Sequence, residues 1–179
     1  MLCFNANFAT CKLGQIAMGE YRASIEWHRN EATFSDNHYS RGHRWRFDGG
    51  LEIPASSSPH IVPLPMSVES AVDPEEAFVA SLASCHMLWF LAIAQQHGLV
   101  VDSYRDDAIG ELAKNAEGKL AMTRVTLRPC VEFSGSAPPD AATINRMHDD
   151  AHAQCFIANS VRTDVCCEPI MAIADDIDG

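Results

Sequence analysis

Two of the seven cysteines occupy positions where a thiol could do chemistry. Cys85 lies within the apolar run from Ala77 to Ala94, in Ala83-Ser84-Cys85-His86-Met87. Cys155 ends a stripe of Ile144, Met147, Ala151 and Cys155 that recurs at helical spacing. Each sits in the most apolar part of its segment, so both could meet in one core. A buried cysteine is by default a small inert hydrophobe, and burial alone raises its pKa. A cation beside it reverses that and supplies the thiolate, which is the nucleophile. Arg41 and His43 share strand parity with Trp45 and Phe47 and are therefore expected to point inward. A buried arginine requires an anionic partner, which a thiolate or a carboxylate can provide. Arg41 is the choice by parity, with Arg29, Arg44 and Arg46 as the other candidates.

A metal reading uses some of the same residues. His148 and His152 are four apart, and Cys155 follows three later; with Cys85 they could make a His2Cys2 zinc site. On a helical wheel, however, Cys155 holds the stripe centre, His148 lies beside it and His152 at its edge. The histidines read as boundary residues making hydrogen bonds, and no metal or other cofactor is expected. Cys166 and Cys167 are neighbours on a strand, so their side chains leave opposite faces, and a structural role is expected for them as for Cys130.

These residues need elements to hold them. Tyr21, Ala23, Ile25 and Trp27 alternate with polar residues, which predicts a half-buried strand over residues 20–29. A second strand covers 39–47, is interrupted by Gly49-Gly50 and resumes at Leu51 to Ile53. Residues 54–67 are rich in proline and serine and form a loop. Asp73-Pro74-Glu75-Glu76 is a helix start, with the aspartate as cap, proline in the first turn and acids at the positive end of the dipole; Gly98 ends that helix. The helix is apolar nearly all round and so should be buried on every side. Strands follow near 102–113 and 119–133, with Val125, Leu127, Val131 and Phe133 on one face and Pro129 marking an edge or bulge. Pro138-Pro139-Asp140 begins a second helix, and a last strand covers 161–167. The order β-β-α-β-β-α-β predicts an α+β domain, a long central helix against curved antiparallel sheet.

Composition narrows the function. With 179 residues the chain suits one domain. Residues 18–179 form that domain, and residues 1–17 read as an extension, disordered or non-native, because Met18 opens the first regular pattern. A net charge of -11 with three lysines and no basic run argues against nucleic acid. The apolar helix is long enough to cross a membrane, but Glu75 and Glu76 at one end and the lack of flanking Lys or Arg argue against it. An odd number of cysteines without a CxxC pair fits a reducing cytoplasm.

The segment from Val72 to Cys85, VDPEEAFVASLASC, resembles the N-P-E-x-L…A-x-C helix of the OsmC/Ohr family, the osmotically inducible and organic hydroperoxide resistance proteins. The spacing of ten from Glu75 to Cys85 matches. Ala151 to Ser160, AHAQCFIANS, resembles the second cysteine block of that family. With the strand order, the resemblance covers roughly residues 20–168, though Phe156 stands where proline often follows the second cysteine, which suggests a divergent subgroup.

The resemblance implies an intertwined homodimer with two sites at the subunit interface. It implies a thiol-dependent peroxidase for organic hydroperoxides, in which Cys85 is oxidised to a sulfenic acid, Cys155 resolves it as a disulfide and a dithiol reduces the product. It assigns Glu75 as the partner of the catalytic arginine. Ten helical residues rise about 15 Å, so Glu75 cannot touch Cys85 of its own helix. The other reading is a non-enzymatic, metal-binding or ligand-binding protein that uses the same core.

Overall fold

A computed structural model describes residues 19–135 and 138–170. The proposed extension at residues 1–17 lies outside the described residues. Strands β1 (Ala23–Glu26), β2 (His43–Phe47) and β3 (Glu52–Ala55) form an antiparallel sheet in that order. The interruption expected at Gly49-Gly50 is a tight turn between β2 and β3, with Gly50 at φ 85°, where a side chain would be strained.

Helix α1 (Pro74–Gln96) begins as its sequence requires. The Asp73 carboxylate accepts from the Glu76 N–H, the Glu76 side chain accepts from the Asp73 N–H, and Pro74 fills the first turn. Gly98, at φ 70°, takes the chain out of the helix.

Four strands follow: β4 (Val100–Asp106), β5 (Ile109–Lys114), β6 (Leu120–Leu127) and β7 (Pro129–Ser134). The sequence suggested two long strands here, and each is broken in two. The register nevertheless runs on through the break, with Asp106 opposite Pro129 and Ile109 opposite Thr126. The four strands are therefore one long hairpin bent at Asp107-Ala108 and Arg128. Pro129 has no N–H for the ladder, and the Asp106 carboxylate holds the opposite corner by accepting from the Arg128 N–H at 2.7 Å.

Helix α2 (Ala141–Gln154) is capped by Asp140, and β8 (Asp164–Cys167) pairs with β6 in parallel, the exception in an otherwise antiparallel set of strands. The class is α+β.

Helix α1 joins two cores. Its Leu82 packs with Val125 and Leu127 of β6; its Phe90, Ile93 and Ala94 pack with Val131 of β7 and with Met147 and Ala151 of α2. The α2 stripe read from spacing, Ile144, Met147, Ala151 and Cys155, is buried throughout. Ile144 and Met147 each contribute about 1.5–3 kcal/mol by leaving water.

Two burial expectations fail in the single chain. Helix α1 buries one face, not all of its circumference: Ala80, Ser81 and Ser84 are exposed, and Leu88 is 60% exposed. Strand β1 is exposed on both faces, with Ile25 62% exposed. Both have the same cause, since nothing else among the described residues is placed to cover those surfaces. The β1–β2–β3 sheet joins the rest at its Ala55 end, where Ser56 N–H donates to Val72 O and Val72 N–H to Pro54 O. By length and a mean hydropathy of 1.9, α1 could cross a membrane. Its buried face is instead built into the two cores.

Candidate active site

The fold brings the two cysteines together. Cys85 projects from the middle of α1, half-buried, and Cys155 is the C-cap of α2, where the backbone turns out of the helix at ψ 112°. Both thiols are free. Cys155 is 1% exposed, and its sulfur accepts the Ala158 N–H at 3.4 Å. Burial, and next the adjoining Cys85 thiol, push its pKa up to about 11, against the opposing pull of the Ala158 and Ile157 amides. One turn beyond Cys85, Trp89 meets Phe156 edge to face, with centroids 5.4 Å apart. Phe156, the residue after Cys155, is 69% exposed, so this aromatic pair stands at the outer rim of the thiol site.

Arg41 departs from its expected placement. Strand β2 starts at His43, and Arg41 lies in the preceding loop, so strand parity does not govern it. Its guanidinium folds back on that loop, donating to Asn37 O at 3.1 Å, Asn37 Oδ1 at 2.6 Å and Tyr39 O, and stacking over the Tyr39 ring at 3.8 Å. The cause is local: the carbonyls of Asn37 and Tyr39 turn inward where Asn37 takes φ 62°, and a guanidinium fork suits three acceptors. Parity does hold within the strand. His43, Trp45 and Phe47 are half-buried, while Arg44 and Arg46 point outward and pair with Glu52 at 2.9 and 2.5 Å.

Glu75, in the first turn of α1, lines a cavity of about 850 Å³ with Ser58, His60, Asp106, Val79 and Met122. Neither Cys85 nor Arg41 lines it. Among the described residues Arg41 and Glu75 form no ion pair with each other or with another group. Arg41 and Glu75 are thus not brought to the cysteines within one chain.

Behind the thiols lies a cluster that the sequence reading missed. His86 is 1% exposed and His148 2% exposed; the two rings are nearly parallel, with His86 Nε2 3.0 Å from His148 Nδ1. Cys167 Sγ lies 3.7 Å from the same His86 nitrogen. Burial lowers the pKa of both histidines to about 4 and raises that of Cys167 to about 12. Phe90 stacks on His148 at 4.2 Å. The buried Tyr104 hydroxyl and Asp106 Oδ2 lack hydrogen-bond partners.

His148 does not join His152 and Cys155 as the zinc reading required; it turns to α1. A signal for this existed. His86 falls on the stripe Leu82, His86, Phe90, Ile93, the buried face of α1. Because that helix is apolar nearly all round, the stripe was not visible as a stripe.

Together these features define an α+β domain whose long helix and second helix present adjoining free thiols over a buried histidine pair. The description OsmC-like protein matches residues 67–168, and an OsmC-like protein of unknown function from Vibrio cholerae is 55% identical, with a TM-score of 0.84 over 86% of this chain and 100% of that one. The chain belongs to the OsmC-like family.

Two more distant structures share its fold. An OsmC-like protein from Mycoplasma pneumoniae is 14% identical at a TM-score of 0.65, covering 87% of this chain and 99% of that one. The organic hydroperoxide resistance protein OhrB of Bacillus subtilis is 16% identical at 0.61, again covering 87% and 99%. A comparison with curated proteins found no match.

Proposed function

We propose that this protein is a cysteine-based peroxidase that reduces organic hydroperoxides. The observation that carries the reading is the adjoining pair of free thiols, Cys85 half-exposed and Cys155 buried behind it. The Cys85 thiolate attacks the distal peroxide oxygen. The O–O bond breaks, the alcohol leaves, and Cys85 becomes a sulfenic acid. Cys155 then attacks that sulfur, water leaves, and a Cys85–Cys155 disulfide forms. An external dithiol returns both to thiols by exchange. The apolar rim of Trp89 and Phe156 suits an organic peroxide better than hydrogen peroxide.

The thiolate needs a cation, and we assign that role to Arg41, supplied with Glu75 across a homodimer interface. Arginine stays charged when desolvated, and its fork can bridge a carboxylate and a sulfur. Arg41 has no acidic partner among the described residues, so its charge is available to a second subunit. The uncovered face of α1 and the free β1–β2–β3 sheet are the surfaces that subunit would cover. The site needs a reducing compartment, which fits the cytoplasm.

Peptide mapping after one equivalent of cumene hydroperoxide tests the reading. A Cys85–Cys155 link is expected. A link confined to Cys130, Cys166 and Cys167 would overturn the assignment.

A further inference from the structure

We propose that His86, His148 and Cys167 form a buried transition-metal site that takes Zn2+, set behind the Cys85–Cys155 pair and sharing neither of its sulfurs. Each residue offers one donor atom, and the three lie within 4.8 Å of one another. An ion about 2.0–2.1 Å from nitrogen and about 2.3 Å from sulfur, in tetrahedral geometry, needs donors roughly 3.3 Å apart for two nitrogens and roughly 3.6 Å for nitrogen and sulfur. The observed separations are 3.0 Å between His86 Nε2 and His148 Nδ1 and 3.7 Å between His86 Nε2 and Cys167 Sγ. Those two pairs need movements of a few tenths of an ångström, and the third, His148 with Cys167, lies within 4.8 Å and closes by at most about 1.2 Å to seat the ion.

The donors come from α1, α2 and β8, three elements already fixed by the two cores, so the site is assembled by folding and not by a flexible loop. Two imidazoles and one thiolate are the borderline-soft set that suits zinc and excludes calcium and magnesium. The surroundings also favour a cation. Asp106, Asp149 and Glu168 all place negative charge near Cys167, against one neighbouring histidine, His152, on the side of His86. Both imidazoles are neutral in this environment and thus ready to ligate. Binding replaces the Cys167 S–H by a metal–sulfur bond and releases one proton, and the imidazole that donates in the His86–His148 hydrogen bond shifts that proton to its outer nitrogen, which leaves both inner nitrogens free to ligate. No fourth His, Cys, Asp or Glu among the described residues joins the cluster, so water completes the tetrahedron.

The site is independent of the peroxidase reading because it uses different sulfurs, and the two can fail separately. Full-length protein, purified without chelator, is analysed for metal, stripped, and titrated with Zn2+ and Co2+. About one ion per chain is expected, with a thiolate-to-cobalt charge-transfer band that shows sulfur ligation. Cys167→Ser and His148→Gln should each weaken Zn2+ binding at least tenfold, with circular dichroism reporting that the fold survives. Cys166→Ser, on the outer face of the same strand, should bind as the parent does. So should Cys155→Ser, and oxidation of Cys85 should leave the ion in place. Wild-type protein that gives no charge-transfer band overturns the site, whatever the variants do. So does binding that persists in Cys167→Ser and vanishes in Cys85→Ser or on oxidation, since the reduced catalytic pair would then be the ligand.

Discussion

Arg41 carries the sharpest test of the catalytic reading at the scale of single residues. If its guanidinium holds the Cys85 thiolate across an interface, Arg41→Ala slows single-turnover peroxide consumption by about 10²–10⁴-fold, the range of a lost charge-stabilising group. Arg44→Ala and Arg46→Ala should change little, because both side chains are engaged with Glu52 on the outer face. Full activity in Arg41→Ala would reassign the cation. Cys155 provides a pH signature. Its folded pKa of about 11 lies above the ordinary 9.0, so it contributes stability that is complete below pH 9 and is lost as pH rises through 11. Urea midpoints should fall between pH 9 and 11, and by less in Cys155→Ala. That Cys85 and Cys155 meet was legible in the sequence, because each sits in the most apolar part of its helix. Arg41 was misplaced because β2 starts at His43, four residues later than alternation suggested, and parity says nothing about a residue in a loop. His86 and Cys167 were hidden for another reason: the cluster is made by residues 81 positions apart, and no spacing rule reaches that far.

Among the elements, contact between α1 and the bent hairpin depends on Gly110 in β5. A β-carbon there would lie 2.5 Å from both Met122 Cε and Val79 Cγ2, nearer than real contacts allow. Gly110→Ala forces Met122 and Val79 aside and should cost about 1–3 kcal/mol, read as a lower urea midpoint with an unchanged slope. An increase in stability would mean that helix and strand are less tightly apposed than described. The N-terminus of α1 offers a second measurement. Asp73→Ala removes one half of its capping box and should cost about 1 kcal/mol. That start was fully legible from Asp73, Pro74 and Glu76, because a cap is a local device. The hairpin bend was not legible, because alternation continues through Asp107 and Arg128 while the backbone turns.

For the molecule as a whole, the decisive quantity is oligomeric state. One chain leaves Leu88, Ile25 and Phe156 more than half exposed, on a helix, a strand and a loop that a second copy could cover together. Light scattering at micromolar concentration should report a dimer, and a stable monomer would remove the route proposed for bringing Arg41 and Glu75 to Cys85.

The last strand adds a consequence of a different kind. Cys166 and Cys167 are adjacent, yet Cys166 turns out beside Asp164 and Cys167 turns in to His86. While β8 stays paired to β6, the pleat holds these two sulfurs on opposite sides of the sheet, and they cannot close an eight-membered ring. The chain thus carries a vicinal dithiol that is insulated by strand geometry alone. β8 is an edge strand of four residues, the kind of element that frays. Each fraying event would expose the dithiol to cross-linking, and the ring, once closed, would prevent the strand from rejoining its sheet. The rate at which that disulfide accumulates under mild oxidant is therefore a clock for the opening of one edge of the fold.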